Sequence, residues 1–440
     1  MSRLIPSSSD AAPYLKSSRL RFFGGTTNHW GGYCRPLDPL DFEVRPWVAE
    51  SGWPFGREEL DPYYRRAEEV LQIRAFAPQA AIEAATKPHL LLPLESEVEP
   101  ALFRISPPTR FGPVFRDELV RSPAIHVVLH ANALRLECDR DGRRVKRVVA
   151  STLEGKRLEV RARRFVLAAG GIENPRLLLL SDDLAKRGLG NQNDLVGRYF
   201  MEHPHLTAVD LAVVGRRKRL PRYFGEKDGN RVLLRLSDSR QRRDGLLNCA
   251  FRLDNRRASG PREPLGPPIA RLVSDLDALR QEAIESQRLP VRSCRAMAMC
   301  EQAPNPASRV TLGEERDRLG LRKVRLEWKL THLDLESLRA SMGRLGHAFG
   351  AWGVGRLAHA HDSEELLSLV AGGNHHMGTT RMHVDPRRGV VDADCRVHEL
   401  ANLYVAGSSV FPTCGCSNPT LTLVALALRL GDHLAGSPRD

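Results

Sequence analysis

The sequence predicts an α/β fold of mixed α+β character, in which a nucleotide-binding type of domain is interleaved with a strand-rich domain. Buried apolar strands at 165–169 and 403–406 each end in glycine and lead into a helix. Strand, glycine turn and helix is the geometry that brings backbone close to a nucleotide, although many α/β folds use it only structurally. Short apolar runs between charged turns fill 205–335, and they predict the strand-rich domain.

Length and composition exclude several classes of protein. With 440 residues, 42% of them hydrophobic, the chain has enough material for two or three domains around a sizeable core. The longest apolar run, 421–430, is too short to span a bilayer. The first fifteen residues hold no apolar signal core, so we expect a cytoplasmic protein, or a periplasmic one if the true N-terminus is missing. The eight cysteines form no C-x-x-C pair, which predicts reduced, mostly buried thiols.

The net charge of +13 is densest in residues 215–243. A nucleic-acid surface has this composition, and so has the solvated face of a strand-rich domain. No recognition fold accompanies the charge. The solvated face is therefore the prediction, with no nucleic-acid partner.

The remaining elements follow from local patterns. Asp61-Pro62 predicts the start of a helix within 58–72, and Asn174-Pro175 predicts the start of another. The other predicted elements are a β-meander at 124–167, strands at 205–214, 230–237, 245–254, 308–315 and 322–330, a loop and lid at 255–290 and a helix at 333–350.

A loop of small residues and then Asn418-Pro419 precede the last helix, whose apolar positions recur at spacings of three and four. The free N–H groups of a helix N-terminus suit a bulky anionic group. A reduced flavin is such a group. The alternative is that Asn418 only caps the helix.

Paired histidines stand in NHHMGTTRM at 374–382. In extended chain His375 and His376 face opposite sides, so at most one points into a given site. A neutral imidazole is a natural base for the proton of an alcohol near pH 7. His383 and His398 lie nearby, but no set of carboxylates or cysteines completes a metal-ligand spacing, so no metal is predicted.

Three blocks of the chain carry a family resemblance. They are GGTTNHWGGYCRPLD at 24–38, FVLAAGGIENPRLLLLS at 165–181 with NDLVGRYFMEHP at 193–204, and a run from NHHMGTTRM at 374–382 through VVDADCRVHELANLYVAGSSVFPT to NPTLTLVALALR at 418–429. PNPASRVTLGEERDRLGL at 304–321 adds to them. The sequence resembles the glucose–methanol–choline (GMC) oxidoreductases, FAD enzymes that oxidise alcohols and sugars. Among them it is most similar to the branch of bacterial sugar dehydrogenases and pyranose oxidases.

The resemblance implies a function and a site. FAD oxidises CH–OH to C=O in a sugar, glycoside or related polyol, with His375 as base, Asn418 as the second catalytic residue, and hydride transferred to flavin N5. Oxygen, a quinone or a cytochrome takes the electrons. His29 occupies the place at which the pyranose-oxidase branch joins a histidine covalently to the flavin, so a covalent link is possible there. The implied FAD contacts are Gly24, Gly25, Thr26, Thr27, Asn28, His29, Trp30, Gly31, Gly170, Gly171, Gly407, Ser408, Pro419, Thr420 and Leu421.

One departure from the family limits these implications. The family begins with a strand, a G-x-G-x-x-G turn and a helix that bind the ADP half of FAD, and this sequence lacks that fingerprint. The expected fold is therefore a Rossmann-like FAD-binding domain, incomplete at the N-terminus, interleaved with an antiparallel-sheet domain. We expect a truncated start; a unit supplied by another chain and a degenerate relative are the alternatives. Two further functional alternatives follow, a non-catalytic subunit and a non-redox lyase of the same fold.

The domain boundaries follow the same division. Residues 1–60 and 116–204 are assigned to the FAD-binding domain, and 61–115 to a cap or linker with the start of the substrate domain. Residues 205–370 form the substrate-binding domain, and 371–440 the C-terminal FAD-binding and catalytic segment.

Overall fold

The structure is a computed structural model that describes residues 12–76, 97–107, 109–214, 226–255, 291–352, 355–358 and 363–436. The predicted loop and lid at 255–290 lie almost wholly outside these residues. No helix within the described ranges is long and apolar enough to cross a membrane.

The largest element is an antiparallel sheet of eight strands. Its order is β1-β2-β8-β9-β10-β7-β13, and β14 also pairs with β7. These strands are β1 (Tyr33–Cys34), β2 (Val98–Ile105), β7 (Pro204–Val214), β8 (Asn230–Leu236), β9 (Cys249–Asn255), β10 (Val291–Cys300), β13 (Gly355–Ala358) and β14 (Val370–Gly372). One face of the sheet packs on the long helix α7 (His332–Ala351) through an apolar cluster that includes Phe251, Leu338 and Leu345.

Strand β10 is absent from the sequence prediction. Its segment, VRSCRAMAMC, interrupts its apolar residues with arginines and is rich in alanine and methionine, which have little intrinsic preference for strands. The neighbouring strands supply what the local sequence lacks, because β10 pairs with both β9 and β7. The β7, β8 and β9 predictions are confirmed.

The second unit is smaller and holds the parallel strands. In it β6 (Phe165–Leu167) pairs in parallel with β15 (Leu403–Val405). The remaining strands form the meander β3 (Asn132–Cys138), β4 (Val145–Ser151) and β5 (Arg157–Val160), and the hairpin β11 (Arg309–Arg316) and β12 (Arg322–Glu327). The predicted meander is confirmed, and so are both predicted buried strands, which end two residues and one residue earlier than expected.

The helices connect and cover these sheets. In chain order the others are α1 (Ala12–Ser17), α2 (Pro39–Phe42), α3 (Asp61–Val70), α4 (Phe111–Arg121), α5 (Gly170–Leu180), α6 (Asp238–Asp244), α8 (Ser363–Leu369) and α9 (Thr420–Gly436). The last of these packs against α3 and buries Leu421, Ala425 and Leu430 in the main core.

Helix α5 begins earlier than the sequence predicts. It starts at Gly170, so Pro175 lies inside the helix and Asn174 does not cap it. Proline has no N–H, which leaves the carbonyl of Gly171 without its helical donor. The Thr379 hydroxyl donates to that carbonyl at 2.6 Å. Asn174 instead accepts from the N–H of Ala169 at 2.7 Å.

The prediction of a solvated basic face is wrong for part of 215–243. Arg231 and Arg235 are buried on β8. Arg231 pairs with Asp254, and Arg235 pairs with Asp38, Glu99 and Asp238. The strand turns these two arginines toward carboxylates of neighbouring elements, and a charge count along the sequence does not show this.

Candidate active site

A cavity of about 2410 Å³ is lined mainly by residues outside the large sheet. Its walls combine the glycine-rich loop at 24–33, the start of α5, residues 373–376, residues 406–408 and the start of α9. The structure thus brings together thirteen of the fifteen implied FAD contacts around one cavity: Gly24, Gly25, Thr26, Thr27, His29, Trp30, Gly31, Gly170, Gly171, Gly407, Ser408, Pro419 and Thr420. Both catalytic candidates, His375 and Asn418, also line it.

Asn28 and Leu421 do not line the cavity. The Asn28 amide donates to the carbonyls of Phe23 and Gly25, at 3.0 and 2.8 Å, and so holds the loop together. Leu421 is fully buried in the core. Both residues support the cavity wall from behind.

The glycine-rich loop contains a short 3-10 helix, Gly25–Asn28, and residues 109 and 110 anchor its C-terminal side. The Trp30 indole donates to the carbonyl of Thr109 at 3.0 Å. The Arg110 guanidinium donates to the carbonyls of Thr27 and Trp30, each at 3.0 Å. His29, in contrast, is exposed on the cavity wall. Trp30 therefore anchors the loop, while His29 lies exposed on the cavity wall.

Three glycines leave the wall open where backbone faces the cavity. Gly25, Gly170 and Gly407 have φ of +56°, +84° and +107°, and a Cβ on any of them would meet no atom within 4 Å. Their lack of a side chain leaves space beside the backbone, as a closely approaching planar or phosphate-bearing group requires. Gly171 differs, because a Cβ there would lie 2.4 Å from the carbonyl oxygen of His376.

His375 is held between two partners. Its Nδ1 lies 2.8 Å from Nδ1 of His203, and its Nε2 lies 3.2 Å from the amide nitrogen of Asn418. Nε2 of His203 lies 3.3 Å from the carbonyl oxygen of Cys414, which can only accept a hydrogen bond. His203 therefore carries its proton on Nε2 and accepts at Nδ1, so His375 carries its proton on Nδ1. Nε2 of His375 is left with its lone pair.

Asn418 faces the cavity rather than capping α9. Its amide nitrogen contacts His375, and its Oδ1 is buried with no hydrogen-bond partner among the described residues. A buried acceptor without a donor costs free energy unless a ligand supplies one. The alternative that Asn418 serves only as a helix cap is not what the structure shows.

Glu202 orders the segment that carries His375. Its Oε2 accepts from the N–H groups of His203, Gly373 and His375 at 3.0, 3.1 and 2.9 Å. The Tyr14 hydroxyl donates to the other oxygen and also lies 3.1 Å from Nε2 of His376. Burial raises the pKa of Glu202 to about 8, while the backbone N–H donors act in the opposite direction.

Burial keeps the imidazoles here neutral. It lowers the pKa of His375 well below 6.5, and the neighbouring His203 and His205 lower it further. Burial also lowers the pKa of His203 to about 4 and that of His205 to about 3. At neutral pH, Nε2 of His375 is therefore available as a proton acceptor.

Sequence reasoning did not assign Glu202, His203 or His205. Glu202 and His203 lie within the block at 193–204, and His205 follows it directly. His383 and His398, which the sequence analysis considered as metal ligands, do not line the cavity. Nε2 of His398 lies 2.9 Å from the carbonyl oxygen of His383, and no three His, Cys, Asp or Glu side chains in the described chain are placed to hold a metal ion.

Comparison with known proteins shows what the C-terminal part of the chain is similar to. Residues 304–427 match the family model for GMC oxidoreductases. This C-terminal part of the chain is therefore a GMC oxidoreductase domain. This domain supplies the β11–β12 hairpin, His375, Asn418 and the first part of α9.

Characterised relatives are oxidases and dehydrogenases. The chain is 27% identical to paromamine 6'-oxidase of Streptomyces fradiae, over 94% of this chain and 78% of that protein. It is 26% identical to 2-methyl-1,2-propanediol dehydrogenase of Mycolicibacterium austroafricanum, over 96% and 81%. Identity to the fructose dehydrogenase large subunit of Gluconobacter japonicus is 29%, over 62% of this chain and 47% of that subunit.

Solved structures show the same fold. Pyridoxine 4-oxidase from Mesorbium loti superimposes with a TM-score of 0.58 at 18% identity, covering 96% of this chain and 85% of that one. A formate oxidase from Aspergillus oryzae, studied for the modification of its FAD, gives 0.57 at 16% identity, covering 94% and 84%. The predicted α/β fold with an antiparallel sheet is confirmed.

Proposed function

We propose that this GMC oxidoreductase binds FAD and oxidises a CH–OH group of a sugar, glycoside or related polyol to C=O, with His375 as the base. The observation that carries the proposal is the orientation of His375. His375 lines the cavity, its Nε2 lies 3.2 Å from the amide nitrogen of Asn418, and its Nδ1 lies 2.8 Å from Nδ1 of His203.

The cavity fits a flavin in shape and in hydrogen-bonding groups. Gly25, Gly170 and Gly407 leave its walls open, and the start of α9 at Thr420 presents a backbone N–H and partial positive charge. The glycine-rich loop at 24–31, Gly170 and Ser408 would hold the cofactor. FAD, when bound, supplies the hydride acceptor.

The chain's own residues orient the alcohol and take its proton. A hydroxyl placed between Asn418 and His375 accepts a hydrogen bond from the Asn418 amide and donates its proton to Nε2 of His375. The Nδ1 proton, directed at His203, stabilises the imidazolium that forms. Loss of the hydroxyl proton raises the electron density on the carbinol carbon, which favours release of hydride.

The substrate class rests on the relatives. Paromamine 6'-oxidase, two C-glycoside 3-oxidases and a pyranose 2-oxidase are named for aminoglycoside, glycoside and sugar substrates. A fructose dehydrogenase subunit and a propanediol dehydrogenase extend the range to a ketose and a diol. Their common feature is a polyhydroxylated or diol substrate, which favours this class for the chain.

Anaerobic reduction of the bound flavin tests the proposal. FAD-loaded protein is mixed with sugars, glycosides and diols, and loss of the visible flavin absorbance is followed. We expect at least one compound to bleach the flavin. His375→Ala should slow bleaching by about 10²–10⁴-fold while FAD stays bound. His383→Ala, a histidine outside the cavity wall, is the matched control and should bleach normally. Bound FAD that no compound bleaches would instead support the lyase alternative.

Attachment of the cofactor is tested separately. We propose non-covalent binding. A bond to His29 is the alternative, because His29 is exposed on the cavity wall and can approach a ligand. Acid precipitation should release the flavin into the supernatant. Flavin that stays with precipitated wild-type protein but not with His29→Ala would show the covalent bond instead.

A further inference from the structure

A pair of cysteines, Cys249 and Cys300, lies on the large sheet outside the candidate active site. The two residues are register partners on β9 and β10. The N–H of Glu301 donates to the carbonyl of Asn248 at 2.8 Å, so the cysteines occupy the next, non-hydrogen-bonded position of the ladder. At such positions the Cα atoms are about 4.5 Å apart, within the range of about 4.4–6.8 Å that a disulfide requires.

The side chains of Cys249 and Cys300 point toward each other. The two sulfur atoms lie 2.9 Å apart, and both are buried on the sheet face that α7 covers. Ser341 of α7 lies beside Cys249. Cys294, on the same strand and in the same apolar cluster, faces Asn255 instead of a cysteine. The close approach of sulfur to sulfur is therefore a property of this pair and not of β10 as a whole.

We propose that Cys249 and Cys300 are an oxidative modification site, at which hydrogen peroxide converts the two thiols into a disulfide. One thiolate attacks a peroxide oxygen and the O–O bond breaks, which gives a sulfenic acid and one water. The second sulfur then displaces the hydroxyl group as a second water, and the S–S bond forms. The two thiols supply two electrons, and peroxide is reduced to two waters.

Burial sets the conditions for this reaction. It raises the pKa of the Cys249 thiol, so the thiolate is scarce and the reaction is slow at neutral pH. A small neutral oxidant such as hydrogen peroxide is therefore required. Once one sulfur is oxidised, the other is already in contact with it.

The cross-link would form next to the contacts that join the sheet to residues 35–45. Glu301, after Cys300, pairs with Arg45 at 2.8 Å. Asn248, before Cys249, donates to Asp38 and Asp41 at 3.2 and 3.1 Å. The two cysteines are 51 residues apart. A bond between them restricts the unfolded chain and makes the oxidised protein more resistant to denaturant.

Mass spectrometry of peroxide-treated native protein tests the site. The oxidant is removed, the protein is denatured with an alkylating reagent, and peptides are mapped with and without reduction. We expect the thiol count to fall from eight to six, and a peptide pair joined at positions 249 and 300 that reduction separates. The midpoint of guanidinium unfolding should rise on oxidation and return to its first value with dithiothreitol.

Two variants complete the experiment. Cys300→Ala should abolish the linked peptide, and Cys294→Ala should leave it unchanged. Recovery of both cysteines as free alkylated thiols from the treated wild-type protein would overturn the proposal, as would linkage of either one to a different cysteine. The wild-type measurement decides the question even if a variant fails to fold.

Discussion

At the scale of single residues, the central feature is the orientation of His375. Its Nδ1 partner, His203, is 172 residues away in the chain. The carbonyl of Cys414 fixes the proton of His203, and His203 fixes that of His375. Our proposal that His375 is the base therefore depends on a residue that touches no substrate.

Removing His203 should allow the His375 proton to move from Nδ1 to Nε2. In His203→Phe the Nδ1 proton loses the acceptor that holds it, so His375 can place its proton on Nε2, where it cannot act as a base. We expect kcat to fall about 10²-fold, at the low end of the effect of a positioned base, with KM little changed. Steady-state kinetics on FAD-loaded protein with matched flavin content measures this. An unchanged kcat would show that the His203 contact has no part in catalysis.

The pH dependence of kcat/KM follows from the neutral imidazole. His375 must be unprotonated to act, and burial lowers its pKa well below 6.5. The activity therefore persists as the pH falls through 6.5, and it is lost only below the lowered pKa. Measurement of kcat/KM from pH 4 to 8 should place the midpoint of the acidic limb below 6.5. A midpoint at 6.5 or higher would exclude a buried, neutral His375 as the base.

At the scale of elements, helix α5 illustrates how packing changes a local prediction. Asn-Pro is a strong helix-start pair, yet the helix begins at Gly170, where φ is +84°. The proline inside the helix is tolerated because Thr379 supplies the donor that proline lacks. This arrangement keeps the glycine turn beside the cavity.

Thr379→Val should therefore destabilise the protein. Valine has nearly the same shape but no hydroxyl, so the buried Gly171 carbonyl loses its hydrogen bond, at a cost of about 1–3 kcal/mol. Denaturant unfolding monitored by circular dichroism measures the change. The control is Thr311→Val, whose hydroxyl makes only a 3.5 Å contact on a partly exposed strand and should change stability by less than about 0.5 kcal/mol. Equal effects of the two variants would contradict this role of Thr379.

At the scale of the whole molecule, buried charges join the large sheet to residues 35–45. Arg45 and Glu301 are fully buried and pair through both nitrogens and both oxygens. Arg35 pairs with Asp38 and donates to Ser417 at 3.0 Å, directly before Asn418. These contacts connect residues 35–45 to the large sheet through Glu301 and to the segment before α9 through Ser417.

Breaking the Arg45–Glu301 pair should weaken the whole protein. Glu301→Gln leaves a buried guanidinium without its counter-charge, and we expect a loss of about 3–5 kcal/mol in the free energy of unfolding. Guanidinium denaturation measures it. Glu43→Gln breaks an exposed pair with Arg242 and serves as control, with an expected change below about 1 kcal/mol. A small effect of Glu301→Gln would mean that the pair does not hold the two parts together.

The sequence by itself determined the fold class, the resemblance to the GMC oxidoreductases and the glycine-rich segments that line the cavity. Glycines, small residues and helix-start residues act on the local backbone. Their pattern in GGTTNHWGGYCRPLD and in the C-terminal block therefore predicts turns and a helix start without a structure. His29 and Trp30 lie in the wall of one cavity, as the resemblance implied, and His375 and Asn418 meet there. The domain boundaries stay predictions.

Only the tertiary structure decided which remote residues meet. Strand β10 exists because two neighbouring strands pair with it, and Arg235 is buried because three carboxylates surround it. The contacts of His203 with His375 and of Cys249 with Cys300 depend on register and packing between distant segments. Hydrogen bonds and sulfur contacts act over a few ångströms. Their partners are therefore set by the folded chain, and no local pattern predicts them.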